Sequence, residues 1–482
     1  MNRAIRLTAI FSLLLTLVLL VNLTIVHAFK DDEYARNSLN SRNYFELKSI
    51  PRGQIFAGGK VLAKSEKLDD GFYHRSYPTT PEAYGPLVGY ISDQYGEAGL
   101  EAGYNGILNG TDDALFALKW KDMLLGREHR GANIDTTIIP AVQETAYNEL
   151  TRHGYNGAVV AIRPSTGEIL ALASSPGFDP NPIVNNDTAK EAWAQLTENP
   201  NKPLLNTATQ ETLPAGSIFK IITTTAGIAK GYTPQSTVTA QNQITLPGTN
   251  TTLENYNGQH CGTGGDTTTL ATAFALSCNT AFVEMGIDAG ADEFRKAAEA
   301  YGIGEKYDLG IPTAAGGLGD LPDDAALGQS SIGQRDVNIS VLQAAVMAAT
   351  VANEGRRMEP HLVAKITGAD LKELKRFDAK QLKHGVDPEV ARTLKELMRD
   401  SERHTAGYAG QDIASKTGTA EHGDPDTPPH TWYVAFGPSE HADVAVAVVV
   451  KDGGGQGVGA TGGSVSAPIG RAVIDAALKA MR

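Results

Sequence analysis

The chain begins with one unbroken apolar stretch and then changes character. Leu7 to Phe29 contains no Asp, Glu, Lys or Arg, and at helical rise it is long enough to cover a hydrocarbon layer of ~30 Å. From Lys30 to about Gly131 the pattern loosens into short apolar clusters broken by glycine and tyrosine, such as "IPRGQIFAGGKVLA" and "RSYPTTPEAYGPLVGYIS". That pattern predicts a strand-rich module. Beyond it the periods sharpen. Asp135 to Gly154 predicts a helix, with Asp135 or Thr136 as its cap and Gly154 as its stop. "GAVVAIRPSTGEILALASS" is two apolar runs around a Pro-Ser-Thr-Gly turn, the pattern of a hairpin.

Three more strand-like runs, "DIASKTGTAE", "TWYVAFG" and "DVAVAVVVKD", stand near the C-terminus, and a helix from about Ser466 to Ala480 follows them. Between the two groups lie helical patterns, one opening at Ser217 and another running from Ser340 to Gly355 with a cap at each end. Strands at both ends with helices between them predict an α+β domain whose antiparallel sheet is completed by the last third of the chain.

Charge and composition narrow the function. At 482 residues the chain exceeds one typical domain. A net charge of -13, from 55 acidic against 42 basic residues, disfavours general affinity for nucleic-acid phosphates. Arg3 and Arg6 precede the apolar stretch and Lys30-Asp31-Asp32-Glu33 follows it, which places the N-terminus in the cytoplasm and the rest outside. Val26-His27-Ala28 loosely fits a signal cleavage site, but signal cores run to about 15 residues, so a retained anchor is expected. Export puts Cys261 and Cys278, the only cysteines, where pairing is allowed. We expect them to form a disulfide beside Ser277, with two buried thiols as the alternative.

Two features invite readings that the sequence pattern does not support. "GGGQGVGATGG" has the local grammar of a dinucleotide-binding turn, but the chain from Gly457 to Arg482 leaves no room for the second parallel strand and its acidic residue. A connection into the last helix is expected instead. The histidines at 404, 422, 430 and 441 show no metal-ligand spacing and read as surface or loop residues.

The chemistry gathers elsewhere. In "LPAGSIFKIITTTAGIAKG", Ser217 and Lys220 share one face of a helical turn. A serine hydroxyl becomes a nucleophile when a base takes its proton, and a lysine can do that if burial or neighbouring charge lowers its pKa. The apolar neighbours Ile218, Phe219, Ile221 and Ile222 suit such burial. Ser277-Cys278-Asn279 follows, closing an apolar segment, and Lys416-Thr417-Gly418-Thr419 lies in a strand pattern. S-x-x-K, S-x-N and K-T-G in that order are together specific where each alone is not.

With these motifs the chain resembles the class B penicillin-binding proteins, their actinobacterial branch in particular, over almost its full length. "GLEAGYNGIL" and "GAVVAIRPSTGEILALASSPGFDPN" belong to the same likeness. One departure is visible: Arg52 to Ala63 is one residue shorter than the family's R-G-x-I-x-D-R-N-G-x-x-L-A and lacks its Asp-Arg pair. The resemblance implies residues 1–6 in the cytoplasm, an anchor at 7–29, a dimerisation-like pedestal at 30–131 and a transpeptidase domain at 132–482. It implies the α+β fold shared with serine β-lactamases, a five-stranded antiparallel sheet flanked by helices. It further implies a D,D-transpeptidase in which Ser217 attacks the penultimate D-alanine carbonyl of a stem peptide with Lys220 as base. Backbone N–H groups of Ser217 and Thr419 would form the oxyanion hole, Ser277 would relay a proton with Lys220 and Lys416, and Asn279 would bond the substrate amide. Thr417, Gly418 and Thr419 beside Lys416 would receive the carboxylate, which β-lactams also present. The implied partner is a multi-span glycan polymerase of the shape or division type, with no cofactor and no metal. The rivals are a D,D-carboxypeptidase, a β-lactamase-type hydrolase and a non-catalytic β-lactam receptor.

Overall fold

The computed structural model describes residues 2–29, 48–112, 115, 130–262, 264–424 and 426–482. The apolar stretch forms one helix, Asn2–Phe29. Its Arg3–Val26 portion is long and apolar enough to cross a membrane and is not buried by any of the described residues. The Lys30-Asp31-Asp32-Glu33 run lies outside the described residues.

A five-stranded antiparallel sheet forms the centre of the larger part. Its order is Ala414–Ala420, His430–Gly437, Val444–Val450, Gly157–Ile162, Ile169–Ser175, so the expected hairpin and the three C-terminal runs meet as predicted. Side chains alternate between its faces. Ala158, Val160 and Ile162 join one core with Ala445, Ala447 and Val449. Val159 and Ala161 join the other with Val446, Val448 and Val450. Both faces are covered, which is why Val444–Val450 is buried at every position and reads as a continuous apolar run. Helices Pro140–Thr151 and Ala467–Ala480 cover one face. On the other lies Val341–Ala352, buried along its whole length and opened by a capping box between Ser340 and Gln343.

The N-terminal module is built on a different sheet. Its order is Glu373–Arg376, Val363–Thr367, Asn133–Thr136, Ile55–Ala57, Lys60–Lys67, Tyr73–Ser76. Ile55–Ala57 pairs in parallel with Asn133–Thr136, and a hairpin from far along the chain completes the layer. This sheet therefore draws strands from both sides of residue 131. The expected helix from Asp135 is shorter than its pattern implied. Asp135 and Thr136 sit in a strand, and the helix starts at Pro140, which fits the first turn because its missing N–H has no intrahelical partner there.

Candidate active site

Three segments converge at the edge strand of the central sheet. Ser217 lies in a tight 3-10 turn, Gly216–Phe219, that runs directly into the helix Lys220–Ala229. Gly216 takes a positive φ of 54°, and a Cβ there would stand 2.7 Å from the Thr419 carbonyl oxygen. Only glycine lets the turn approach the strand so closely. Gly418 does the same from the strand side, where a Cβ would meet Ile218 at 3.0 Å and the Ala215 carbonyl at 3.2 Å.

Lys220 is the hub. It is fully buried, and its Nζ stands 3.0 Å from Ser217 Oγ, 2.7 Å from the Ser277 carbonyl, 3.2 Å from Ser277 Oγ and 2.8 Å from Asn279 Oδ1. Lys416, also fully buried, donates to Ser277 Oγ at 2.8 Å and to the Thr417 carbonyl at 3.0 Å. Ser277 thus stands between two amines. It can do so because it ends the helix Leu270–Leu276 in the left-handed conformation, φ 62°, which turns its hydroxyl toward both. Burial pushes the Lys220 pKa well below its usual value, and the Lys416 charge adds to that. Burial alone lowers Lys416 to about 7. Among the described residues no carboxylate bonds either amine.

All the motif residues named from the sequence therefore meet in one place. Asn279 is held at both ends, its Oδ1 by Lys220 and its Nδ2 by donation to the Glu254 carbonyl at 2.8 Å. Thr417 and Thr419 are half-buried along the sheet's edge strand. Cys261 and Cys278 are bonded, with Cα atoms 5.7 Å apart, which ties the preceding loop to the residue after Ser277.

Two supporting residues escaped the sequence. Asn255 accepts through Oδ1 from the backbone N–H of Asn279 at 2.7 Å and of Thr280 at 3.1 Å. Trp432 donates from Nε1 to the Pro214 carbonyl at 2.8 Å and stands opposite Gly418 in the ladder. An isolated Asn in a polar loop offers no signal, while the fully buried indole N–H of Trp432 needed some acceptor. The histidine reading needs correction. His430 is buried in a strand, stacks on His422 at 3.7 Å between ring centroids and lies beside Asp452. Strand pairing across the 421–429 connection, invisible to linear spacing, brings the rings together. The glycine-rich segment passes through Lys451–Gly455, where Asp452, Gly453 and Gly454 take positive φ, and a short turn, Gly457–Gly459, before the last helix.

Known proteins carry the same architecture. The model of the penicillin binding protein transpeptidase domain matches residues 157–475, and that of the penicillin binding protein A dimerisation domain matches residues 52–134. The peptidoglycan D,D-transpeptidase PbpA of Mycolicibacterium smegmatis is 45% identical, covering 99% of each chain. MrdA of Acinetobacter baumannii, another peptidoglycan D,D-transpeptidase, is 28% identical over 74% of this chain and 57% of its own. Penicillin-binding protein A from M. tuberculosis, solved as its ceftriaxone acyl-enzyme complex, superposes with a TM-score of 0.87 at 45% identity, covering 90% of this chain and 100% of that one. Its penicillin G acyl-enzyme complex gives 0.86 at 46% identity, with 89% and 100% covered. On its motifs, its two matched domains and these relatives, the chain belongs to the class B penicillin-binding proteins.

Proposed function

We propose that this protein is a peptidoglycan D,D-transpeptidase, with Ser217 as nucleophile and Lys220 as its base. The observation that carries the reading is a buried amine, its pKa well below the usual value, 3.0 Å from the Ser217 hydroxyl. A neutral Lys220 takes the proton from Ser217 Oγ as the oxygen attacks the penultimate D-alanine carbonyl. The backbone N–H groups of Ser217 and Thr419 receive the developing oxyanion, a role the close approach of turn and strand at Gly216 supports. The C–N bond then breaks. The leaving D-alanine amine takes a proton through Ser277, which touches both lysines. Lys416 with Thr417 and Thr419 holds the carboxylate, Gly418 admits the close packing between them, and Asn279 orients the peptide amide. An amine from a neighbouring stem peptide next attacks the ester, releases Ser217 and forms the cross-link.

A β-lactam enters the same path with its carboxylate on Lys416, and its opened ring stays attached where D-alanine would leave. Among the described residues no carboxylate bonds the cluster to act as a dedicated deacylating base, which favours a long-lived adduct. The Asn2–Phe29 helix serves as a single-pass anchor with the catalytic domain outside the cytoplasm. A multi-span membrane polymerase supplies the glycan strand.

Mass spectrometry of the full-length protein after incubation with benzylpenicillin tests the reading. One drug mass should be added and stay for minutes to hours, and Ser217→Ala should lose it altogether. Rapid turnover of the drug would favour a hydrolase, and an adduct persisting in Ser217→Ala would mean a different nucleophile.

A further inference from the structure

A cavity of about 630 Å³ lies between the pedestal and the larger part of the protein, and none of the catalytic motif residues lines it. Its pedestal side comes from the helices Pro81–Val88 and Gly99–Gly103 and the turn between them. The other side comes from Phe178, the helix Ala189–Glu198 and the segments 204–210 and 308–312. These walls are bonded to one another, Asn206 Nδ2 donating to the Pro86 carbonyl at 3.0 Å and Thr209 Oγ1 to the Pro312 carbonyl at 2.9 Å, so the space is built into the fold. Its size falls within that of small-molecule sites, about 300–1,000 Å³.

One wall is aromatic. Tyr90 and Phe178 meet edge to face with ring centroids 6.3 Å apart, Tyr90 stands 5.9 Å from Trp193, and Tyr95 stacks on Trp193 at 4.5 Å. The polar groups are few and partly uncommitted. The Tyr90 ring is buried, yet among the described residues its hydroxyl has no hydrogen-bond partner and is not sealed from solvent. Gln210 Oε1 accepts from the Asn206 N–H at 2.9 Å, which leaves its Nε2 to donate elsewhere. Asp308 accepts from the Gly310 N–H at 3.1 Å through one oxygen and keeps the other. The Glu97 carboxylate, bonded by Asn105 at 3.3 Å, lies in the same lining. Among the described residues no Lys, Arg or His lines the cavity.

These groups select a ligand by exclusion. Two carboxylates without a cation repel an anion. A cation supplies donors only and would leave Gln210 Nε2 without an acceptor. A peptide is commonly gripped through backbone pairing, and three backbone N–H groups of the lining are already taken, Gly89 by the Gly85 carbonyl, Ala98 by that of Tyr90 and Ala102 by that of Ala98. What remains is an uncharged molecule that carries hydroxyls and amide carbonyls on a ring whose C–H faces cover aromatic carbon. N-acetylated amino sugars have all three features, and the glycan strand of peptidoglycan is a chain of them. We propose that this cavity binds N-acetylated sugar rings of the glycan strand, an inference that rests on the transpeptidase reading above. Sugar hydroxyls donate to Asp308, an acetamido carbonyl accepts from Gln210 Nε2, the Tyr90 hydroxyl bonds a ring oxygen or hydroxyl, and ring C–H groups lie against Trp193.

The test uses the full-length protein in detergent, treated beforehand with benzylpenicillin so that the Ser217 cleft is closed. Failure to take up the drug counts against the transpeptidase reading itself, whereas drug-loaded protein tests the cavity alone. Triacetylchitotriose, three linked N-acetylglucosamine rings, is titrated in mildly acidic buffer and heat is recorded. Two further titrations use the deacetylated trimer, which carries ammonium groups in place of the amides, and a stem pentapeptide ending in D-alanyl-D-alanine. Saturable binding of triacetylchitotriose is expected, tighter than either of the others. Tyr90→Phe removes a hydroxyl that no described residue uses, and Asp308→Asn keeps an oxygen for the Gly310 N–H, so both variants should fold, which far-UV circular dichroism checks. Tyr90→Phe should weaken triacetylchitotriose binding by about 3- to 10-fold, the scale of one neutral hydrogen bond, and Asp308→Asn by about 10-fold or more, the scale of one to a charged group. Three results overturn the proposal: no saturable binding of triacetylchitotriose, tighter binding of the deacetylated trimer or the peptide, or affinity unchanged in both folded variants.

Discussion

Two pairs of buried cations, one in the cleft and one in the pedestal, are put to opposite uses. Lys220 and Lys416 sit around Ser277 with no carboxylate bonded to them among the described residues. Arg52 and Arg75 close on Glu101 from both sides. Burial without a counter-charge makes the proton easy to remove, and the lysines move toward neutrality. In the pedestal, burial pushes the Glu101 carboxyl up, but the charges of Arg75 and Arg52 outweigh it and hold it below its usual value. There the carboxylate stays ionised and ties together segments far apart in the chain. Residue type fits the task, because a lysine can be tuned into a base whereas an arginine keeps its charge in any environment a protein offers.

The largest effect should come from breaking the cleft pair. Lys220→Ala removes the base, and benzylpenicillin acylation should slow by ~10²–10⁴-fold, the usual contribution of general-base catalysis. Lys220→Arg is the sharper variant. It restores a cation at the same place but no removable proton, so stopped-flow acylation should stay as slow as in Lys220→Ala. Recovery in Lys220→Arg would mean that Lys220 acts through its charge.

Glu101→Gln breaks the pedestal pair and should do the reverse. Leaving two buried arginines without their carboxylate should cost about 3–5 kcal/mol of stability, measured by urea denaturation. The acylation rate constant of the folded fraction should remain that of the parent. A large loss of rate with stability intact would show the pedestal cluster coupled to the cleft.

The legibility of these regions in the sequence differs for a physical reason. The cleft was readable because each motif is short, local and ordered: Ser217 and Lys220 lie on one turn, Ser277 and Asn279 at one helix junction, and Lys416 to Thr419 on one strand. The central sheet was readable because its strands run up to eight residues and are buried on both faces. The pedestal sheet was not. Ile55–Ala57 is three residues long, and Val363–Thr367 is five and comes from far along the chain, so neither carries a period of its own. Asp135 looked like a cap because its side-chain type suits one, whereas pairing with Val363–Thr367 decided its conformation. His430 and Asn255 likewise owe their places to contacts between distant segments.

A smaller effect separates the two lysines by pH. Attack needs neutral Lys220, so the acylation rate constant should fall by about tenfold per unit on the acid side, once Lys220 binds a proton. Carboxylate binding needs charged Lys416, which loses its proton as pH rises through about 7. The apparent affinity for benzylpenicillin should therefore weaken on the alkaline side while the rate constant holds. Lys416→Arg keeps its charge there, so its affinity should stay flat with pH. If the alkaline loss persists in Lys416→Arg, Lys416 is not the group responsible.

The smallest effect concerns how the turn is held against the strand. Trp432 joins them twice, by its place opposite Gly418 in the ladder and by its Nε1 bond to the Pro214 carbonyl, three residues before Ser217. Trp432→Phe keeps an aromatic ring but removes the second tie and leaves a smaller ring in a fully buried place, so stability should fall by about 1–3 kcal/mol. The Lys416 side of the site rests on strand pairing, which this substitution leaves in place. The Ser217 side rests partly on the lost bond, and a turn released by a fraction of an ångström misaligns the hydroxyl with its base. Acylation should therefore slow modestly, far less than in Lys220→Ala, with the apparent affinity for the drug unchanged. If affinity falls instead and the rate constant holds, Trp432 positions the strand rather than the turn.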